Sequence, residues 1–297
     1  MAGPRGGLFV GVLAALLAAC AGPASERVVV TSAPDGARDE IPVVIDKPEG
    51  PGPFPAVVIL HDCSGLGPWS SGAPARWARE LGARGYVTVI PDSFTTRGHP
   101  DGVCTHTSPN RGEVAPSRRV HDAYAALAHV RALPYVDGRR VGLMGGSHGG
   151  STTLVSIAAP EQGWDPLARD KRAGFAAAVA LYPGCAIPLG GWRPDGTGTY
   201  RPVAPLLILI GEKDDWTPAP PCVKLAASAR ATEHPVAITV YPGALHSFDS
   251  DRPVRFVAAR VNSNAPGGRG ATTGGDATAW ADSIRRVTEF FGAHLKP

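Results

Sequence analysis

The chain has little net charge, +3 from 29 basic and 26 acidic residues, and no basic run or basic and aromatic interleaving. It therefore lacks the footprint of a nucleic-acid binder. Its nine histidines show no His-x-x-x-His spacing with a carboxylate. That excludes the commonest metal-ligand pattern, and neither a metal nor a cofactor is expected. No internal repeat and no linker divides the chain, and the apolar stretch at residues 8–19 is too short for a comfortable membrane span. What is abundant is glycine and proline, 37 and 30 residues, between apolar runs spaced as in a sheet. The 297 residues are enough for a sizeable core, and they read as a loop-rich globular protein.

Residues 1–20 read as an export signal, with Arg5 as the positive end, an apolar stretch behind it and small residues before Cys20. The end of that segment, Leu17-Ala18-Ala19-Cys20, resembles the lipobox of bacterial lipoproteins. The resemblance implies lipid on Cys20 and a membrane anchor; the competing reading is an ordinary cleaved signal peptide. Both put residues 21–297 outside the cytoplasm, in the periplasm or held at the outer membrane.

Residues 26–31 and 41–46 are expected as two strands around the turn Ala33-Pro34-Asp35-Gly36, forming an antiparallel edge to a larger sheet. The continuous apolar runs 55–60, 86–90, 139–144, 175–181, 205–210 and 236–241 suit strands covered on both faces. Between them lie helical patterns at about 73–84, 116–130, 151–159 and 220–231, and a closing helix at about 277–294 follows a polar, glycine-rich stretch at 262–275. Strands alternating with helices predict one α/β domain over 21–297, with a mostly parallel sheet of about eight strands and helices on both faces.

One stretch organises this pattern. The apolar run Val141-Gly142-Leu143-Met144 meets Gly145-Gly146-Ser147-His148-Gly149-Gly150 and continues into a helical pattern. In Gly145-x-Ser147-x-Gly149 the serine sits on a sharp strand-to-helix turn, and the flanking glycines relieve the crowding there. The amide of His148 then opens a helix, where unpaired N–H groups favour developing negative charge. A serine needs a base, and the base needs an orienting group. Asp214 follows one later apolar run within Gly211-Glu212-Lys213-Asp214-Asp215-Trp216-Thr217-Pro218. His246 follows the next within Tyr241-Pro242-Gly243-Ala244-Leu245-His246-Ser247-Phe248. The order serine, acid, histidine is that of α/β-hydrolases.

These phrases, with His61-Asp62-Cys63-Ser64-Gly65-Leu66-Gly67 and the Asp92-Ser93-Phe94 turn, resemble the dienelactone hydrolase family across nearly all of the chain from about residue 41 to 295. The resemblance implies the α/β-hydrolase fold and hydrolysis of a small ester or lactone through an acyl-enzyme. Ser147 would be the nucleophile, His246 the base and Asp214 its orienting acid, with backbone N–H groups of His148 and Cys63 as the oxyanion hole. The family's namesakes use cysteine where this elbow has Ser147, so the named lactone substrate is not carried over.

Around the site, Asp62 is a candidate neighbour of the nucleophile. Arg97 lies near where the family places an arginine for an anionic substrate, the competing reading being a surface arginine, and Trp69, Trp216 and Phe248 are candidates either for an acyl pocket or for packing the site loops. Setting Cys20 aside leaves four cysteines and three possible connectivities. In the implied fold, Cys63 with Cys104 and Cys185 with Cys222 sit beyond neighbouring strand ends, which makes those the expected disulfides of an exported chain. A peptidase or acyltransferase on the same acyl-enzyme chemistry, and a silent binding protein that keeps the fold, are the competing functions.

Overall fold

The computed structural model describes Met1, Gly3 and residues 24–33, 38–105, 111–160, 174–234 and 236–296. Most of the segment expected as an export signal, Cys20 and most of the 33–36 turn lie outside the described residues. Two nine-residue strands, β1 (Ala24–Ser32) and β2 (Asp39–Lys47), pair antiparallel, and β2 pairs antiparallel with β4 (Val87–Pro91). They form the expected antiparallel edge. The remaining strands run parallel: β3 (Phe54–Leu60), β5 (Val136–Gly146), β6 (Ala177–Leu181), β7 (Leu206–Gly211) and β8 (Val236–Tyr241). The sheet order is β1-β2-β4-β3-β5-β6-β7-β8.

The central strands are buried along nearly their whole length, as their unbroken apolar sequence requires when both faces are covered. Two sets of helices cover them. Helix α1 (Ala73–Gly82) meets α5 (Ala277–Leu295) through Trp77 and Trp280, whose ring centroids are 4.7 Å apart. Helix α2 (Pro116–Arg131) packs on α3 (His148–Ile157), while α4 (Ala219–Arg230) lies against β7 and β8. Proline within the first two helical positions of α1, α2 and α4 starts each helix where an N–H has no intrahelical partner.

The segment expected as a polar, glycine-rich connection holds part of a second, two-stranded sheet. Strand β9 (Arg255–Val261) pairs antiparallel with β10 (Arg269–Thr273), with an irregularity between Arg269 and Ala271. The hairpin escapes a sequence reading because both faces of β9 are largely exposed, so hydrophobicity does not alternate along it.

Both expected disulfides are present, Cys63–Cys104 and Cys185–Cys222, closing separations of 41 and 37 residues. Each ties a loop at the carboxyl edge of the sheet. Replacing Cys185 and Cys222 together by alanine should cost about 2–4 kcal/mol, the usual range for closing a loop of this length. Urea unfolding of the oxidised proteins measures it, and an unchanged midpoint would contradict it.

Candidate active site

The site begins with a backbone problem. Ser147 has φ 51° and ψ −114°, a conformation an L-residue adopts only when its surroundings hold it there. Its N–H donates to Leu181 O at 2.9 Å, and its carbonyl accepts from Ser151 N at 2.8 Å. A Cβ on Gly145 would come within 2.5 Å of the Gly149 backbone, and one on Gly149 would strike the Leu60 and His61 carbonyls. Both glycines are therefore required by close backbone approach, as the sequence suggested.

Strand ends supply the other groups. His246 Nε2 is 2.9 Å from Ser147 Oγ, and His246 Nδ1 is 2.8 Å from Asp214 Oδ2. A carboxylate only accepts, so Nδ1 carries the proton and Nε2 accepts from the serine hydroxyl. Asp214 Oδ1 receives the N–H groups of Trp216 and Thr217 at 2.9 and 2.8 Å, which fixes the carboxylate. The Thr217 hydroxyl lies 2.9 Å from Asp214 Oδ2 and 3.0 Å from the Tyr182 carbonyl. Ser147, Asp214 and His246 are all buried. Asp215 points elsewhere: its carboxylate accepts the N–H of Thr272 at 2.9 and 3.1 Å.

The loop from His61 to Gly67 is equally constrained. Asp62 accepts from Ser64 N at 2.7 Å and from the Ser64 and Ser71 hydroxyls, and Cys63 O accepts from Val103 N at 2.7 Å. Burial, reinforced by the Arg119 charge, holds the His61 pKa well below the usual histidine range. The ring is therefore neutral, donating Nδ1–H to Asp62 O and accepting Ser93 N–H at Nε2. Arg119 is fully buried and donates to the His61 carbonyl at 2.9 Å and to His148 Nδ1 at 2.8 Å. One guanidinium thus ties the His61 loop to the residue after Ser147.

Ser147 opens onto a cleft of about 360 Å³. Cys63, His148, Ile187, Trp216 and Val261 are among the other residues that line it. A larger depression of about 660 Å³ lies by Lys47 and Arg79, and no serine, cysteine or histidine lines it.

Of the side chains expected around the site, only Trp216 reaches the cleft. Trp69 is 71% exposed, and Phe248 is buried between Tyr182 and Tyr241. Asp62 is occupied by its own loop. The Arg97 side chain is 4% exposed and donates to both Asp39 and Asp122 at 2.7 Å and to the Ser93 carbonyl at 2.9 Å. Those partners lie 58 and 25 residues away in sequence, a pairing no local pattern reveals. The one close acid and cysteine grouping among the described residues, Asp62 with Cys63 and Cys104, has its sulfurs joined in a disulfide.

Two supports were not foreseen. Tyr182, at the carboxyl end of β6, places its ring edge-on to His246 at 4.8 Å and donates its hydroxyl to Asp249 at 2.8 Å. Burial pushes the Asp249 carboxyl above its usual range, against hydrogen bonds from Trp77 and Tyr182. Position at a strand end was the available signal for Tyr182. The β9-β10 hairpin is the second support. Trp216 Nε1 donates to Val261 O, Asn262 Nδ2 to Asp215 O, Gly274 N to His246 O and Val261 N to Cys104 O, all at 2.9–3.1 Å. It joins the acid loop, the histidine loop and the Cys63–Cys104 disulfide.

An eight-stranded, mostly parallel sheet with serine, acid and histidine on loops at its carboxyl edge is the α/β-hydrolase arrangement. The sequence matches the dienelactone hydrolase family over residues 41–295, and the chain belongs to that family. Among solved structures, a dienelactone hydrolase-like promiscuous phosphotriesterase from metagenomic libraries is similar with TM-score 0.64 and 21% identity, over 92% of this chain and 99% of that one. The propionate-bound thermophilic esterase of the planctomycete Thermogutta terrifontis is similar with TM-score 0.63 and 17% identity, over 92% and 96%. Dipeptidyl peptidase 4 of Porphyromonas gingivalis aligns with TM-score 0.54 and 19% identity, over 76% of this chain and 33% of that one. At such identities these likenesses show the fold alone. A search of curated proteins finds no match to the sequence.

If Asp214 orients His246, Asp214→Asn should lower turnover of an activated ester by up to about 10⁴-fold, as an acid-to-amide change does in a serine protease triad. Asp215→Asn, which loosens only the hairpin, should cost under about tenfold. Steady-state kinetics of the two folded variants decide between them, and the reverse ranking would reassign the acid.

Proposed function

We propose that residues 21–297 form a single serine hydrolase domain acting on small carboxylic esters or lactones, with Ser147, His246 and Asp214 as its triad. The observation that carries this reading is the pair of 2.9 and 2.8 Å contacts linking serine, imidazole and carboxylate, with Ser147 lining a cleft. As Ser147 Oγ attacks the ester carbonyl carbon, its proton passes to His246 Nε2 and the carbonyl π pair moves onto oxygen. The backbone N–H groups of Cys63 and His148, residues that both line the cleft, would receive that oxyanion. Removing one such donor typically costs about 10²- to 10³-fold in turnover. Collapse expels the alcohol, protonated by His246 Nε2–H, and leaves the acyl-enzyme. Water then gives a proton to the same nitrogen as it attacks the acyl carbon, and collapse of that second intermediate returns the proton to Ser147 Oγ and releases the acid.

The acyl-enzyme chemistry is shared with peptidases and acyltransferases, and the fold does not separate them. Ester, amide and alternative acceptor assays do. A silent binding protein would leave the triad hydrogen bonds without a use, and fluorophosphonate labelling distinguishes it.

The lipobox-like sequence supports a lipid anchor at Cys20, and two disulfides suit an exported chain. Among the described residues no helix is long and apolar enough to cross a membrane. Ala24 pairs with Lys47, and Asp46 with Thr88 near the start of β4, so β1 begins at the sheet edge opposite Ser147. The four residues from Cys20 to Ala24 span at most about 14 Å, against about 30 Å for a nine-residue strand. An anchored protein would therefore hold its cleft away from the bilayer. The mature N terminus should be a lipidated Cys20 by mass spectrometry; a free N terminus elsewhere without lipid mass would refute the anchor.

Ser147→Ala and His246→Ala should each remove nearly all hydrolysis of 4-nitrophenyl esters in folded protein, since nucleophile and base act as a unit. Near-normal turnover by folded Ser147→Ala would overturn the reading.

A further inference from the structure

The charges around the cleft are arranged in an unexpected way. Among the described residues, no Asp, Glu, Lys or Arg lines it. Its apolar wall is the Cys63–Cys104 disulfide with Ile187, Trp216, Pro218 and Val261. The polar groups that line it are mostly engaged already. The Ser151 hydroxyl donates to Ser147 O and accepts from Gly184 N, the Thr217 hydroxyl is held by its neighbours, and Asn264 Nδ2 donates to Trp216 O.

Arg97 and Arg119 are held elsewhere, while a third cation, Arg260, packs on the cleft residue Trp216 with its Nη1 buried and without a hydrogen-bond partner among the described residues. Arg97 is occupied by two carboxylates and a carbonyl. Arg119 is fully buried and aims its N–H groups at the His61 carbonyl and His148 Nδ1. Arg260 lies over the Trp216 ring, 4.6 Å from its centroid, and burial lowers its pKa to about 10, so it remains charged at neutral pH; it does not line the cleft.

We infer that this cleft selects esters with an uncharged acyl group and discriminates against acyl groups bearing a carboxylate. The inference rests on the serine hydrolase reading and specifies its substrate class. A carboxylate carried into this cleft loses water and gains no cation from the described residues that line it. The same carbon skeleton without charge loses little on entering. Arg97, which lies near the family's position for an anion-binding arginine, instead staples β2 to α2, through Asp39 and Asp122.

Three esters of matched length test this: 4-nitrophenyl hexanoate, mono-4-nitrophenyl adipate and methyl 4-nitrophenyl adipate, each corrected for uncatalysed hydrolysis. The third keeps the polarity of the second and removes its charge. The expected result is kcat/KM for the charged adipate at least about tenfold below both neutral esters. Ile187→Arg, which puts a guanidinium on the wall, should narrow that gap at least about fivefold. A gap under tenfold in the unsubstituted protein, or an inverted one, overturns the inference while leaving the hydrolase reading intact. So does an Arg260→Gln variant that selectively loses activity on the charged adipate, because Arg260 would then be an anion subsite. Absence of turnover on all three, with Ser147→Ala no slower, sinks the hydrolase reading and this inference with it.

Discussion

The structure depends on one backbone constraint, the left-handed turn at Ser147. Holding a serine at φ 51° costs on the order of 1–3 kcal/mol, which only a tightly packed surround can sustain. That surround is built from small residues. Gly145 and Gly149 let strand β5 and helix α3 close to within backbone contact of each other and of Leu60, and Gly146 leaves room for the Tyr182 hydroxyl. The turn lifts Ser147 Oγ off the sheet and puts the start of α3 beside it. Every other part of the site is placed relative to that atom.

The partners arrive from different strands, so their relative positions must be fixed by long-range ties. The structure supplies three kinds. Disulfides hold the loops after β3 and β6. Arg119, buried inside α2, joins the loop after β3 to the residue following the serine. The β9-β10 hairpin bonds to both the acid and histidine loops through Asn262, Val261 and Gly274. In the proposed mechanism, preorganisation of this kind lets a weak nucleophile and a developing oxyanion meet their partners without reorganisation during reaction. The cost is a carboxyl edge dense in buried polar groups, each of which needs its bond.

Much of the fold was legible because its signals are local. Continuous apolar runs such as 55–60 and 205–210 announced buried parallel strands, and the Gly-x-Ser-x-Gly turn announced its own geometry. The family resemblance implied Asp214 as the orienting acid, and the contacts of Asp214 to His246 Nδ1 and of Asp215 to Thr272 N follow that division. The hairpin was not legible, since β9 exposes both faces and carries no alternation. Nor were the positions of Trp69, Phe248 and Arg97, because the direction of a loop side chain is set by distant partners. Arg97 shows this most clearly: its place in the chain suggested an anion site, and Asp39 and Asp122 decided otherwise.

The central claim is that Ser147 becomes covalently acylated during turnover. Acid quenching during steady-state hydrolysis of a slow ester, followed by intact-mass and peptide mapping, reads this directly. The account predicts one acyl group per chain, carried on Ser147 and absent from Ser147→Ala. Steady ester hydrolysis with no acyl adduct, or with the acyl group on another residue, would contradict it.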